Sequence, residues 1–133
     1  MRYLLDTNVV IALLKCQAPI AERVFRNKRR DYALSPIVAH ELVFGAMRSR
    51  RPDGALAAYE DLRLTILDFT SADAWKAVEI RAMLVAAGTP IGPYDVLIAG
   101  QALQRGLVVV TRNTREFSRV PGLDVENWED EAG

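Results

Sequence analysis

The chain opens with Tyr3-Leu4-Leu5-Asp6-Thr7-Asn8, and the way this run ends decides the fold. Three apolar residues with no helical spacing read as a short buried strand. The strand stops at a carboxylate, and Thr7 and Asn8 follow, two residue types whose side-chain oxygens cap helices. In open parallel α/β sheets, ligands gather in the crevice beyond the carboxyl ends of the strands. Asp6 therefore stands where such a sheet places its chemistry. Taken alone it reads equally well as part of a helix cap, so the rest of the chain has to decide.

The bulk properties narrow the field. A length of 133 residues suits one ordinary domain with a sizeable core. Half the residues are hydrophobic and 26% are charged, the balance of a folded globular protein rather than a disordered one. Seventeen basic and 17 acidic residues give a formal net charge of zero. Lysine occurs only at Lys15, Lys28 and Lys76, so arginine supplies the other cations. Arginine suits planar, bidentate phosphate contacts, although genomic composition explains the skew equally well. Cys16 is alone, and no cysteine–histidine zinc spacing exists. The apolar runs are too short to span a bilayer and do not resemble a signal peptide. The expectation is a cytoplasmic protein with no membrane contact.

Outward from the opening strand, strand and helix patterns alternate. A helix is expected over Val9–Lys15 and another from about Ile20 to Arg29, ending in the basic cluster Arg26-Asn27-Lys28-Arg29-Arg30. Tyr32–Leu34 reads as a strand. Ser35-Pro36 pairs an N-cap residue with proline at the first helical position and starts a helix to about Arg48. A fourth helix is expected over Asp53–Arg63 and a short strand over Thr65–Leu67. Thr70-Ser71-Ala72-Asp73 has capping-box spacing and opens a long helix closed by Gly88. Pro93 starts an apolar helix that Gly106 ends, Leu107–Thr111 reads as a buried strand, and Leu123–Val125 as a last one. The pattern predicts a single α/β domain over residues 1–133, with a central, mostly parallel sheet flanked by helices on both faces. The acidic tail, about 127–133, is expected to fray.

Three acids stand in apolar surroundings: Asp6 after a strand, Glu41 in a helix, and Asp95 in the first turn of an apolar helix. Positions 37, 41 and 45 share one helical face, so Glu41 points with its apolar neighbours. A helix start suits Asp95 without any function. Yet no lysine or arginine stands three or four residues from either acid. Carboxylates gathered in one crevice repel one another and shift each other's pKa values. A hard cation such as Mg²⁺ relieves this through oxygen ligands and can assist attack of water on a phosphodiester.

Four motifs then occur in order. They are Leu5-Asp6-Thr7-Asn8, Ser35-Pro36-Ile37-Val38-Ala39-His40-Glu41-Leu42 with Gly45, Ile91-Gly92-Pro93-Tyr94-Asp95 with Ile98-Ala99, and Val110-Thr111-Arg112-Asn113 with Glu116-Phe117. In order and spacing they resemble the motifs of PIN-domain ribonucleases, and more closely those of VapC-type toxins of toxin–antitoxin pairs. The resemblance covers essentially the whole chain. It implies a PIN fold, an endoribonuclease dependent on Mg²⁺ or Mn²⁺, an RNA substrate such as tRNA, and inhibition by a VapB-type antitoxin. It also implies a homodimer that joins the antitoxin in a larger complex. Carried over by motif, Asp6, Glu41 and Asp95 are the metal-binding and catalytic acids, with Glu41 ligating directly or through water.

One departure matters. The family's fourth acidic position holds Asn113, so Glu116 is the candidate to stand in for it. Asn113-Thr114-Arg115-Glu116 also has capping-box spacing, which explains Glu116 without a metal. Thr7, Asn8, Thr111 and Asn113 are candidates for orienting the acids. Arg112 and Arg115 are candidates for contacting RNA phosphates. The single histidine, His40, is expected to point away from Glu41 and is not assigned as a base.

Two rival classes remain. A phosphorylated-aspartate domain also places an acid after a strand, but such families use a neighbouring acid and a late lysine. Here the neighbour is Asn8, and no lysine follows Lys76. A non-catalytic PIN-like RNA-binding module is the stronger rival, because Asn113 breaks the acidic set.

Overall fold

The computed structural model describes residues 1–129. Strand β1 (Tyr3–Leu5) leads into helix α1 (Thr7–Leu14), followed by α2 (Ala18–Arg26) and β2 (Tyr32–Ala33). Helices α3 (Pro36–Met47), α4 (Pro52–Asp61), α5 (Ser71–Ala86) and α6 (Pro93–Arg105) come next. The chain closes with β3 (Val108–Val110), α7 (Thr114–Phe117) and β4 (Val125–Glu126).

The four strands form one sheet in the order β2-β1-β3-β4, with every pairing parallel. Tyr3 pairs with Tyr32 on one side and Val108 on the other, and Leu5 reaches Val110. β1, β2 and most of β3 are buried, as expected where parallel connections run through helices, whereas the edge strand β4 is only half-buried. Neighbours of β1 are added first on one side and later on the other. With right-handed crossovers, this reversal puts helices on both faces and opens a crevice beside the carboxyl end of β1.

Local signals act where the sequence places them. Ser35 Oγ accepts the Ile37 amide at 3.3 Å, and Thr70 and Asp73 complete a reciprocal box at 3.3 and 2.8 Å. Gly106 ends α6 at φ 67°, a left-handed conformation that glycine adopts without strain. Packing is tightest between α5 and α6, where a Cβ on Gly100 would lie 2.7 Å from the Ala77 backbone nitrogen.

Several local expectations are corrected. The helix expected to reach Arg29 stops at Arg26, and Arg29–Asp31 forms a short 3₁₀ turn instead. Thr65–Leu67 contributes a single parallel bridge, Ile66 to Leu34, rather than a strand. The buried stripe of α3 is Val38, Leu42 and Ala46, one position away from the expected face. Glu41 therefore lies at the margin of the core, half-buried. The first part of the acidic tail is anchored, because Trp128 is buried with its ring edge-on to Tyr3 at 4.9 Å. The remainder of the expected frayed segment, residues 130–133, lies outside the described residues. Among the described residues no helix is long and apolar enough to cross a membrane.

Candidate active site

The site grows from the ends of two adjacent strands. β1 ends at Leu5, and Asp6 caps α1 with its own side chain, Oδ1 accepting the Thr7 amide at 2.9 Å. The cap is thus Asp6 rather than Thr7 or Asn8. Its other oxygen, Oδ2, accepts the Thr111 hydroxyl at 2.8 Å and the Asn8 side-chain amide at 3.2 Å. Thr111 follows β3, so the contact ties the two strand ends together. Its hydroxyl also accepts from Asn8 Nδ2 at 3.3 Å and the Asn113 amide at 2.9 Å. One donor and two acceptor positions are then all in use, which fixes the hydroxyl toward Asp6. Asn8 Oδ1 accepts the Arg112 amide at 2.9 Å and completes the brace.

Two helices bring the other acids to the same edge. α3 begins just beyond β2, so Glu41 in its second turn stays close to the carboxyl ends of the strands. α6 runs into β3, so its first turn, with Asp95, lies at that edge too.

Asp95 reports how the acids meet. Its carboxyl is pushed up from the usual 3.8 to about 7. Burial is the largest cause, followed by a carboxyl–carboxyl hydrogen bond with Glu116 and the charges of Asp6, Glu116 and Glu41. All four candidate acids therefore interact in one crevice. None of them forms an ion pair among the described residues.

Asn113 does not build the capping box that its spacing suggests. It stands at the N-cap of α7 without a side-chain cap bond. Its side-chain amide instead donates to Glu116 Oε2 at 3.2 Å, and the Glu116 carboxyl faces Asp95. The local motif gives way because the neighbouring acid supplies a partner that sequence spacing alone does not reveal.

The donor set fits a divalent cation. It consists of hard carboxylate oxygens, crowded and uncompensated, with the Thr7 hydroxyl buried nearby and lacking a hydrogen-bond partner. No three carboxylate or imidazole groups among the described residues stand close enough to enclose an ion. Mg²⁺ does not need such a cage, because it keeps several waters and binds through one or two carboxylates.

The remaining candidates sit around the rim. Arg115 is exposed, whereas Arg112 leans 4.0 Å from Glu129, a separation that leaves the pairing weak. His40 is exposed and stands edge-on to Tyr94 at 6.2 Å. Sequence reading missed Tyr94 and Phe44 beside the acids, although adjacency of Tyr94 to Asp95 was a usable signal.

A parallel sheet with acids gathered at the reversal of its strand order is the arrangement expected of a nuclease of the PIN class. The chain belongs to the PIN domain family, whose model matches residues 3–123. Within it, the chain is 44% identical over 130 residues to the "tRNA(fMet)-specific endonuclease VapC" of Salmonella typhimurium. The match spans 96% of this chain and 98% of that protein. The Shigella flexneri protein of the same name is 39% identical over the same shares. Among solved structures, the DNA-bound VapBC complex from Salmonella typhimurium superposes with a TM-score of 0.91 at 44% identity. That superposition covers 96% of this chain and 98% of the other.

Proposed function

We propose that this protein is the endoribonuclease toxin of a VapBC-type pair, hydrolysing RNA phosphodiesters with a divalent cation, Mg²⁺ first and Mn²⁺ as a substitute. The substrate class is tRNA, with initiator tRNA first because the two relatives are named for tRNA(fMet). The inhibitor is a VapB-type antitoxin, as in the solved VapBC complex. One observation carries the reading: four carboxylates meet without a protein cation, and Asp95 is pushed up to about 7, by burial first and then by that company. A structural acid would have acquired a basic partner, as Asp73 has in Arg105 at 2.9 Å. A non-catalytic RNA-binding module gains nothing from such a cluster, since it repels phosphate.

In this reading Asp6 and Asp95 hold the cation, Glu41 joins them directly or through a water, and Glu116 extends the acidic set. The bound cation supplies the positive charge that acidifies water and offsets charge building on the phosphate oxygens. The chain's own part is orientation. Thr111 and the Thr7 amide fix the Asp6 carboxylate, and Asn113 fixes Glu116. In the metal-free protein Asp95 keeps its proton up to about pH 7, with the Glu116 carboxyl facing it. Arg115, with Arg112 once freed from Glu129, is positioned to meet flanking phosphates. A homodimer uses the exposed apolar face of α5, on which Trp75, Val78 and Val85 are more than half exposed. The compartment is the cytoplasm, where the single free thiol of Cys16 stays reduced.

The test uses protein freed of antitoxin and incubated with tRNA. Cleavage with Mg²⁺ or Mn²⁺, abolished by EDTA and restored by adding metal, is the expected result. RNA that is bound but left uncut at every metal concentration would favour the non-catalytic module.

A further inference from the structure

Beside the acids lies a second recess, about 590 Å³, which opens along the outer face of α3. His40, Phe44 and Arg48 line it at four-residue spacing, Tyr94 closes it from α6, and Glu41 joins it to the crevice. Two of its aromatic side chains are conspicuously uncovered, Phe44 at 54% and Tyr94 at 49%. The His40 and Tyr94 rings stand at 86° to each other with centroids 6.2 Å apart, an edge-to-face contact that engages at most one face of one ring. The Arg48 guanidinium lies over the Phe44 ring at 5.4 Å and forms no ion pair among the described residues.

Gly45 gives a second, independent sign. It sits inside α3, where glycine weakens a helix relative to alanine. A Cβ there would meet nothing within 4 Å, so no neighbour within the chain requires its absence. A glycine of this kind suits close approach of a ligand to the backbone.

We infer that this recess is a stacking subsite for one unpaired nucleotide of the RNA next to the scissile phosphate. Tyr94 offers a flat face to a base, Phe44 backs the Arg48 guanidinium, and Arg48 is placed to take the phosphate beyond the base. Single-stranded nucleic acid is held by this combination of aromatic platforms and cations. From position 40 to position 48 the helix advances about 12 Å, enough for the nucleotide beside the cut and its outer phosphate. The neighbouring groove on the other flank of Glu41 differs in chemistry. Its walls are mostly apolar, with Ile11, Leu14, Leu42, Ala46 and Tyr59 beside Lys15 and Ser49, a lining suited to peptide side chains, and it shares Glu41 and Gly45 with the recess. The aromatic and cationic recess is the one that suits RNA. The inference rests on the endoribonuclease reading above.

The test takes a single-stranded RNA oligonucleotide that the wild-type protein cuts at one mapped position. Tyr94→Ala and Arg48→Ala should each lower kcat/KM by roughly five- to a hundredfold, mainly through KM. Tyr94→Phe, which keeps the ring, should stay near wild type. Removing the base on the proper side of the cut should slow the wild type to the level of Tyr94→Ala and slow that variant no further. Equal losses from the abasic change in both proteins would overturn the inference, as would Ala variants that cleave like wild type. Variants that cleave normally but lose antitoxin affinity would overturn it in favour of a peptide surface. Both substituted side chains are exposed, so folding is not at stake. If the wild type cuts no RNA with Mg²⁺ or Mn²⁺, the endoribonuclease reading fails first and the subsite falls with it.

Discussion

Asp95 is an acid whose ionised form the folded chain resists, through burial first and then through Glu116, Asp6 and Glu41. Between pH 3.8 and about 7 the folded protein keeps a proton that the unfolded chain has released. Folded protein then binds more protons than unfolded, so metal-free stability falls as pH rises through that window. In EDTA the melting temperature should be higher at pH 5 than at pH 8, and Asp95→Asn should flatten the difference. The same variant should lose cleavage by about a hundredfold or more, since the cation contributes several kcal/mol to the transition state. Near-native activity in Asp95→Asn or Asp6→Asn would remove both from the site. Glu116 separates from them by metal dependence. Glu116→Gln keeps the hydrogen-bonding shape and loses the charge, so it should require markedly more Mg²⁺ for the same rate. Asn113→Asp restores a carboxylate and should require less. Normal cleavage by Glu116→Gln at limiting Mg²⁺ would confine the site to Asp6, Glu41 and Asp95.

Among the elements, the α5–α6 crossing fixes where Asp95 can stand, because Gly100 lets α6 settle against Ala77. Gly100→Ala brings a methyl group to 2.7 Å from backbone, a contact that flexible side chains cannot relieve. Overpacking of this kind costs about 1–3 kcal/mol, to be read from urea unfolding. Unchanged stability would mean that the helices part easily and that the crossing does not set the site. Elements marked by local chemistry were legible in the sequence: the strand ending at Asp6, the Ser35-Pro36 start, the Thr70–Asp73 box and the Gly106 stop. Those decided by distant partners were not. Nothing near Thr65–Leu67 shows that only Ile66 finds Leu34, and nothing near Trp128 shows that Tyr3 receives its ring. Glu41 was found, but its face was misjudged by one position, because both stripes of α3 are apolar in sequence and only packing selects Val38, Leu42 and Ala46. At Asn113 the motif itself misled. The expected box required Glu116 to turn back on its own helix, while Asp95 draws its carboxyl across the crevice.

Across the whole molecule, 17 basic and 17 acidic residues cancel, yet the charges are not evenly spread. Four acids share one crevice, and the arginines named for RNA contact stand at its rim. Such a pocket attracts a guanidinium or ammonium group as well as a metal, and a carboxylate–arginine pair can be bidentate. The antitoxin of this reading therefore inhibits most simply by placing an arginine or lysine side chain between Asp6 and Asp95, where the cation would bind. Neutralising either acid should then weaken antitoxin binding by roughly 2–5 kcal/mol, the range for breaking a desolvated charge pair. Added salt should weaken the wild-type complex through screening of the approach. Mg²⁺ should compete with the antitoxin for the wild type and much less for Asp6→Asn. Calorimetric titration of antitoxin into each protein, at low and high salt and with and without Mg²⁺, measures all three effects. An affinity indifferent to the acids, the salt and the metal would place the inhibitory contact away from the carboxylates, with access for RNA blocked at a distance.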